Sequence, residues 1–117
     1  MKRFKGKDFL SLHDFSREEL YFFLHTAQHM KSQVGAGVYS AALKNKNLGM
    51  IFQKPSLRTR VSFDVGMNQL GGTALYLSPD EIQLGKRESI KDVAHVLSRY
   101  VDGIMARVFS HNDVLEL

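Results

Sequence analysis

The hydrophobic pattern changes period several times along the chain, and each change marks an element. Residues 48–52, "LGMIF", form a short unbroken apolar run. Such a run predicts a strand buried on both faces. Before it, Leu20, Phe23, Leu24, Ala27 and Met30 recur at helical spacing behind "SREEL". That segment places a serine N-cap three residues ahead of a carboxylate. The polar, glycine-bearing "KSQVGAG" then predicts a loop or helix end. After the apolar run, "KPSLRTRVSFDVGMNQL" predicts a helix over about residues 57–70, stopped by Gly71-Gly72. "TALYLS" (73–78) reads as a second strand, "PDEIQLGKRE" (79–88) as a polar loop, and "GIMARVF" (103–109) as a third strand. Between the last two, Ile90, Val93, Ala94, Val96, Leu97 and Tyr100 mark one wide apolar helix face. "SHND" starts a further helix, with Ser110 as cap and Asp113 three residues on.

Helix followed by β-α-β-α-β predicts an α/β fold, a parallel sheet with helices on both faces. The length, 117 residues, suits one domain with one core, so residues 1–117 are expected to form a single domain. The last helix reaches Leu117 without a stop signal, and the chain is expected to be truncated there.

Composition narrows the classes. A net charge of +4 fits an anionic small ligand or a weak polyanion partner. With no cysteine, disulfides and thiolate metal sites are excluded, which favours a reducing, cytoplasmic compartment. The basic start "MKRFKGKDFLSLHDF" has no apolar run after it and is not a secretory signal. No stretch approaches the roughly 20 apolar residues of a membrane span. His25 and His29 lie four apart on a helix but have no third ligand of trusted spacing.

The candidate chemistry sits at strand ends. Ligands of open α/β sheets bind beyond the carboxyl ends of the strands. There the chain carries Lys54-Pro55-Ser56-Leu57-Arg58-Thr59-Arg60, the loop with Gln83 and Lys86, and Arg107 with Phe109. Arginines in a helix's first turn oppose its dipole unless an anion meets them. Ser56 is placed to cap, and the amides of Arg58, Thr59 and Arg60 are expected to point out of the helix end as donors for phosphate. Arg58 adds a planar fork that matches phosphate oxygens. There is no G-x-x-x-x-G-K-[ST] loop and no nucleophile elbow. Alternative readings make the arginines a solvated basic patch, Arg107 an ion-pair partner and 79–88 an ordinary loop. Few stacking aromatics lie near the arginines, which counts against nucleic acid.

"FQKPSLRTRVSFDVG" resembles the S-x-R-T-R carbamoyl phosphate segment of the aspartate and ornithine carbamoyltransferases. "FLSLHDFSREEL" and the segment from "LGGTALYLSPDEIQLGKRESIKDV" through "IMARVFSHNDVLEL" are similar to the ornithine branch. The resemblance covers essentially the whole chain and implies the carbamoyl phosphate-binding domain. It implies carbamoyl phosphate contacts from Ser56, Leu57, Arg58, Thr59, Gln83 and Arg107, with Arg58, Thr59 and Arg107 acting in catalysis and Arg60 supporting them. Gln83 is then expected to reach a neighbouring subunit's site, which implies a homotrimer or a multiple of one. Leu57 departs from the usual threonine, at a position that contributes mainly its backbone N–H. The family's H-P-x-Q segment and amino-acid-binding domain are not in this chain. The implied reaction moves the carbamoyl group to the side-chain amine of ornithine, giving citrulline and phosphate, with no metal or organic cofactor. Putrescine, N-acylornithine or aspartate as acceptor, and a non-catalytic anion-binding or oligomerisation module, are the alternatives. Nucleic-acid and membrane partners are not implied.

Overall fold

The computed structural model describes residues 2–83, 86 and 89–117. Leu84, Gly85, Arg87 and Glu88, which belong to the "QLGKRES" stretch of the resemblance, lie outside the described residues, as does Met1. The chain forms two compact units, Met1–Val38 and Tyr39–Leu117. Among the described residues, no helix is long and apolar enough to cross a membrane.

The first unit is built on helix α1, Arg17–Gly35. Its start carries the predicted capping box: Glu19 N–H donates to Ser16 Oγ at 3.1 Å, and Ser16 N–H donates to Glu19 Oε2 at 2.9 Å. Two of the helix's orphan donors are thereby satisfied. The unit's interior is aromatic, with Phe23 lying 4.9 Å from Phe4 and 5.3 Å from Phe15, ring centre to ring centre. Leu24, expected on the apolar face, is 64% exposed. The helix runs on through Gly35, so only the last two residues of "KSQVGAG" are turn.

The second unit holds the sheet. Strands β1 (Asn47–Phe52), β2 (Thr73–Leu77) and β3 (Gly103–Arg107) are all parallel, in the order β2-β1-β3. Helix α2 spans Leu57–Gln69, α3 Pro79–Ile82, α4 Ile90–Leu97 and α5 His111–Glu116. The apolar run occupies the central strand, where Met50, Ile51 and Phe52 are essentially inaccessible. Alternation then divides the strand between two layers. Ile51, opposite Leu77 and Ala106, packs with Ile82 of α3, Val93 of α4 and Leu117 beside α5. Tyr76, opposite Met50, lies on the other face with its ring 5.4 Å from Phe52 and Arg60 of α2 stacked over it. Helices therefore cover both faces of a parallel sheet, as the pattern predicts.

Two expectations are corrected. Residues 79–88 are not wholly loop: Ser78 caps Pro79–Ile82, accepting from Glu81 N–H while Glu81 Oε2 accepts from Ser78 N–H. Proline at the first helical position and the capping box make even this short turn locally self-sufficient. The apolar face of α4 is also narrower than its sequence. Val93, Ile90 and Leu97 join the core, whereas Val96 and Tyr100 are 56% and 77% exposed.

The stop after α2 is built from both glycines. Gly71 has φ +85°, and its N–H donates to Asn68 O at 3.0 Å while Gly72 N–H donates to Met67 O at 2.8 Å. This paired closure satisfies the last carbonyls and turns the chain into β2. At Gly72 a Cβ would lie 2.7 Å from Met67 Cε and 2.9 Å from Lys46 O, so no side chain fits.

The amino edge of the sheet is held by Asp102. Its carboxylate accepts from Asn47 N–H at 2.8 Å and from Lys46 Nζ at 3.2 Å. The Asn47 amide first, and then Lys46, hold this carboxyl below its ordinary value of 3.8. A lowered folded-state pKa means that the unfolded chain binds the proton more readily. The contribution is therefore present above the ordinary value and lost as pH falls through the folded-state pKa. Acid titration of the thermal midpoint is expected to show this loss. Asp102→Asn should lower the midpoint at neutral pH and flatten the acid limb, whereas an unchanged acid limb would contradict the clamp.

Candidate anion site at the carboxyl edge of the sheet

The connectivity puts a crevice between β1 and β3. From β1 the chain passes to α2 on one face, and from β3 it passes to α5 on the other. Neighbouring strands whose connections leave to opposite faces define the topological switch point, where open α/β sheets take ligands. The register sets Phe52 opposite Arg107, so the segments after both strands start level with each other.

Helix α2 supplies the floor. Pro55 keeps Lys54 out of the helical region, and Ser56 follows in an extended conformation as N-cap. Among the described residues, the amides of Leu57, Arg58 and Thr59 meet no backbone acceptor, whereas Arg60 N–H donates to Ser56 O at 3.1 Å. The open donors are therefore Leu57, Arg58 and Thr59, not Arg58, Thr59 and Arg60. The intrahelical ladder begins at the fourth residue after the cap, which takes Arg60 out of the set.

A second correction concerns Ser56. It holds the cap position, but its hydroxyl makes no capping hydrogen bond. The other helices differ. In α1, α3, α4 and α5 the cap serine accepts a backbone N–H, and each has an acid in its first turn. Helix α2 has no side-chain cap, no acid there, and two arginines instead. Its positive end is thus left to be answered by something outside the helix.

Arg107 closes the opposite wall. Its Nη1 donates to Thr59 Oγ1 at 2.8 Å, joining residues 48 apart in sequence. Thr59 accepts in that bond, so its own O–H remains a donor. Among the described residues, neither Arg58 nor Arg107 pairs with a carboxylate. Arg58 is exposed at the helix end. Arg60 turns aside, its guanidinium carbon 3.8 Å from the centre of the Tyr76 ring.

The structure thus joins Arg107 to the Ser56–Leu57–Arg58–Thr59 turn through Thr59. Gln83 follows α3 in a left-handed conformation, φ +46°, and lines a cleft of about 400 Å³ with Gln53, Pro79, Asp80, Lys86 and Phe109. One residue escaped the sequence reading. Gln53 accepts from Phe109 N–H through Oε1 at 2.6 Å, and its own N–H donates to Arg107 O at 3.0 Å. A polar side chain directly after a buried run was the available signal.

Residues 7–117 match the family described as aspartate/ornithine carbamoyltransferase, carbamoyl-P binding domain. The chain belongs to the aspartate/ornithine carbamoyltransferase family. Within that family, it is 55% identical over its whole length to an ornithine carbamoyltransferase of Symbiobacterium thermophilum, covering 38% of that protein. The ornithine carbamoyltransferase of Pyrococcus furiosus superposes with a TM-score of 0.92 at 51% identity, over 97% of this chain and 36% of that one. An aspartate transcarbamoylase of Trypanosoma cruzi, solved with phosphate, has a TM-score of 0.89 at 28% identity, over 97% of this chain and 36% of its own. The fold is common to both branches, and the sequence stands nearer the ornithine relatives. The chain spans little more than a third of the length of these relatives.

Proposed function

We propose that the chain supplies the carbamoyl phosphate half of a carbamoyltransferase active site, as a single carbamoyl phosphate-binding domain over residues 1–117. In the whole protein, a second domain binds ornithine, whose side-chain amine attacks the carbamoyl carbon to give citrulline and phosphate. The observation that carries this reading is the Arg107–Thr59 hydrogen bond, 2.8 Å, which brings the Arg107 guanidinium to the first turn of α2, where the amides are open.

The chemistry follows from where charge develops. As the neutral amine attacks, negative charge grows on the carbonyl oxygen and on the departing phosphate. The amides of Leu57, Arg58 and Thr59 meet the phosphate oxygens along the helix axis. Arg58 supplies a planar fork, and Arg107 and the Thr59 hydroxyl complete the donor set. Ser56, its hydroxyl free of capping, joins as a further donor. These groups are held in place before the reaction, so stabilising the transition state requires little reorganisation. Arg60 supports the site from its stack on Tyr76.

Gln83 is proposed to serve a neighbouring subunit's site, in a homotrimeric whole protein. The protein is proposed to work in the cytoplasm, in arginine metabolism, without metal or organic cofactor. Ornithine is favoured over aspartate because the sequence stands nearer the ornithine relatives.

The test is turnover. The full-length protein, given carbamoyl phosphate, is expected to convert ornithine to citrulline and to use putrescine, N-acetylornithine and aspartate poorly. The 117-residue chain alone is expected to make none. Citrulline from the isolated chain, or preference for another amine, would overturn the assignment.

A further inference from the structure

We infer that Gln53 is a positioning residue for Arg107, an inference that rests on the carbamoyl phosphate reading of the site. Gln53 lies at the end of the most buried strand, directly after Phe52, so its backbone is anchored by the core. From there it holds the segment after β3 at two points. Its N–H donates to Arg107 O at 3.0 Å, continuing the sheet's ladder one residue past β1. Its side-chain Oε1 accepts from Phe109 N–H at 2.6 Å. Arg107 sits at the first of these points and one residue short of Val108, which packs on the core.

The consequence is geometric. Arg107 is exposed, on an edge strand at its last residue, and beyond it the ladder no longer constrains the chain. Its guanidinium must meet Thr59 Oγ1 and remain aimed into the crevice. The Phe109 bond fixes the exit of the chain from β3 and so the direction from which the Arg107 side chain starts. Gln53 touches no anion in this account. It acts through the backbone, and through the Arg107–Thr59 bond it couples the β3 wall to the α2 floor. Hydrogen-bonded chains of this kind lose function through misplacement rather than through lost contact, because a displaced donor no longer meets the developing charge.

The experiment compares Gln53→Met, similar in length but without the acceptor oxygen, with Gln53→Glu, which retains one. Both are made in the full-length protein, beside Arg107→Ala as a control. Carbamoyl phosphate affinity is measured by calorimetric titration, acceptor KM by turnover, and Phe109 amide protection by hydrogen exchange. Gln53→Met is expected to lose Phe109 protection and about tenfold in carbamoyl phosphate affinity, with acceptor KM and thermal midpoint little changed. Gln53→Glu is expected to recover the protection and most of the affinity. Full affinity in Gln53→Met, or equal losses in both variants, would overturn the inference. Failure of the parent protein to bind carbamoyl phosphate, or full affinity in Arg107→Ala, would instead overturn the function on which the inference rests.

Discussion

Replacing Arg58 with alanine in the full-length protein is expected to lower kcat/KM for carbamoyl phosphate by about 10²–10³-fold, or about 2.7–4 kcal/mol, the usual cost of one preorganised donor. The same change should leave stability intact or raise it. Arg58 lies in the first turn of a helix with no acid there and no side-chain cap. A cation at that end opposes the dipole, so its removal is worth about 0.3–1 kcal/mol in the protein's favour. Activity and stability then move in opposite directions, which separates a ligand-binding residue from a structural one. Steady-state kinetics and thermal melts of the same preparation check both. Near-normal kinetics in the variant would sink the assignment of the site.

Arg107→Lys is expected to cost nearly as much, on the order of 10²-fold in kcat/KM. Lysine retains the charge, so a purely electrostatic role would be largely preserved. It lacks the planar fork that allows one side chain to donate to Thr59 Oγ1 and to an anion at once. The loss should also be coupled to its partner. Combined with Thr59→Val, which removes the acceptor of the 2.8 Å bond, Arg107→Lys should add much less than its single-variant cost. Strict additivity of the two changes would mean that the bond plays no part in arranging the site.

Local chemistry was legible and long-range pairing was not. The bounds of α2 follow from Pro55, Ser56 and the two glycines, all of which act within a few residues. The buried run at the sheet's centre and the parallel order follow from period and alternation. The Ser56 hydroxyl was misjudged because residue type selects the cap position, whereas side-chain rotamer decides whether the cap bond forms. The open amides were displaced by one residue for a countable reason: the cap's own carbonyl already takes Arg60 N–H. Helix α3 was missed although Ser78, Pro79 and Glu81 spell its start, because the charged residues around it drew it into the reading of a loop. The meeting of Arg107 with Thr59 depends on the register of β1 with β3, and nothing near either residue encodes it. Gln53 belongs to the same class. Its partner lies 56 residues away, and only the folded sheet makes its acceptor oxygen meaningful.

Charge distribution explains why the site is recognisable at all. Among the described residues, four helices have a serine hydroxyl and an acid where their dipole asks for them. The fifth breaks that local rule, and it does so where the topology opens a crevice. Departures from local consistency concentrate where function requires them. In the proposed reading, the anionic ligand would carry the missing negative charge.

The most direct measurement is a crystal structure of the full-length protein with carbamoyl phosphate bound. The phosphoryl oxygens are predicted to lie within hydrogen-bonding distance of the Leu57, Arg58 and Thr59 amides, with the guanidinium groups of Arg58 and Arg107 closing over them. Carbamoyl phosphate bound away from the β1–β3 crevice, for instance wholly in the cleft of Gln53, Asp80 and Lys86, would contradict it.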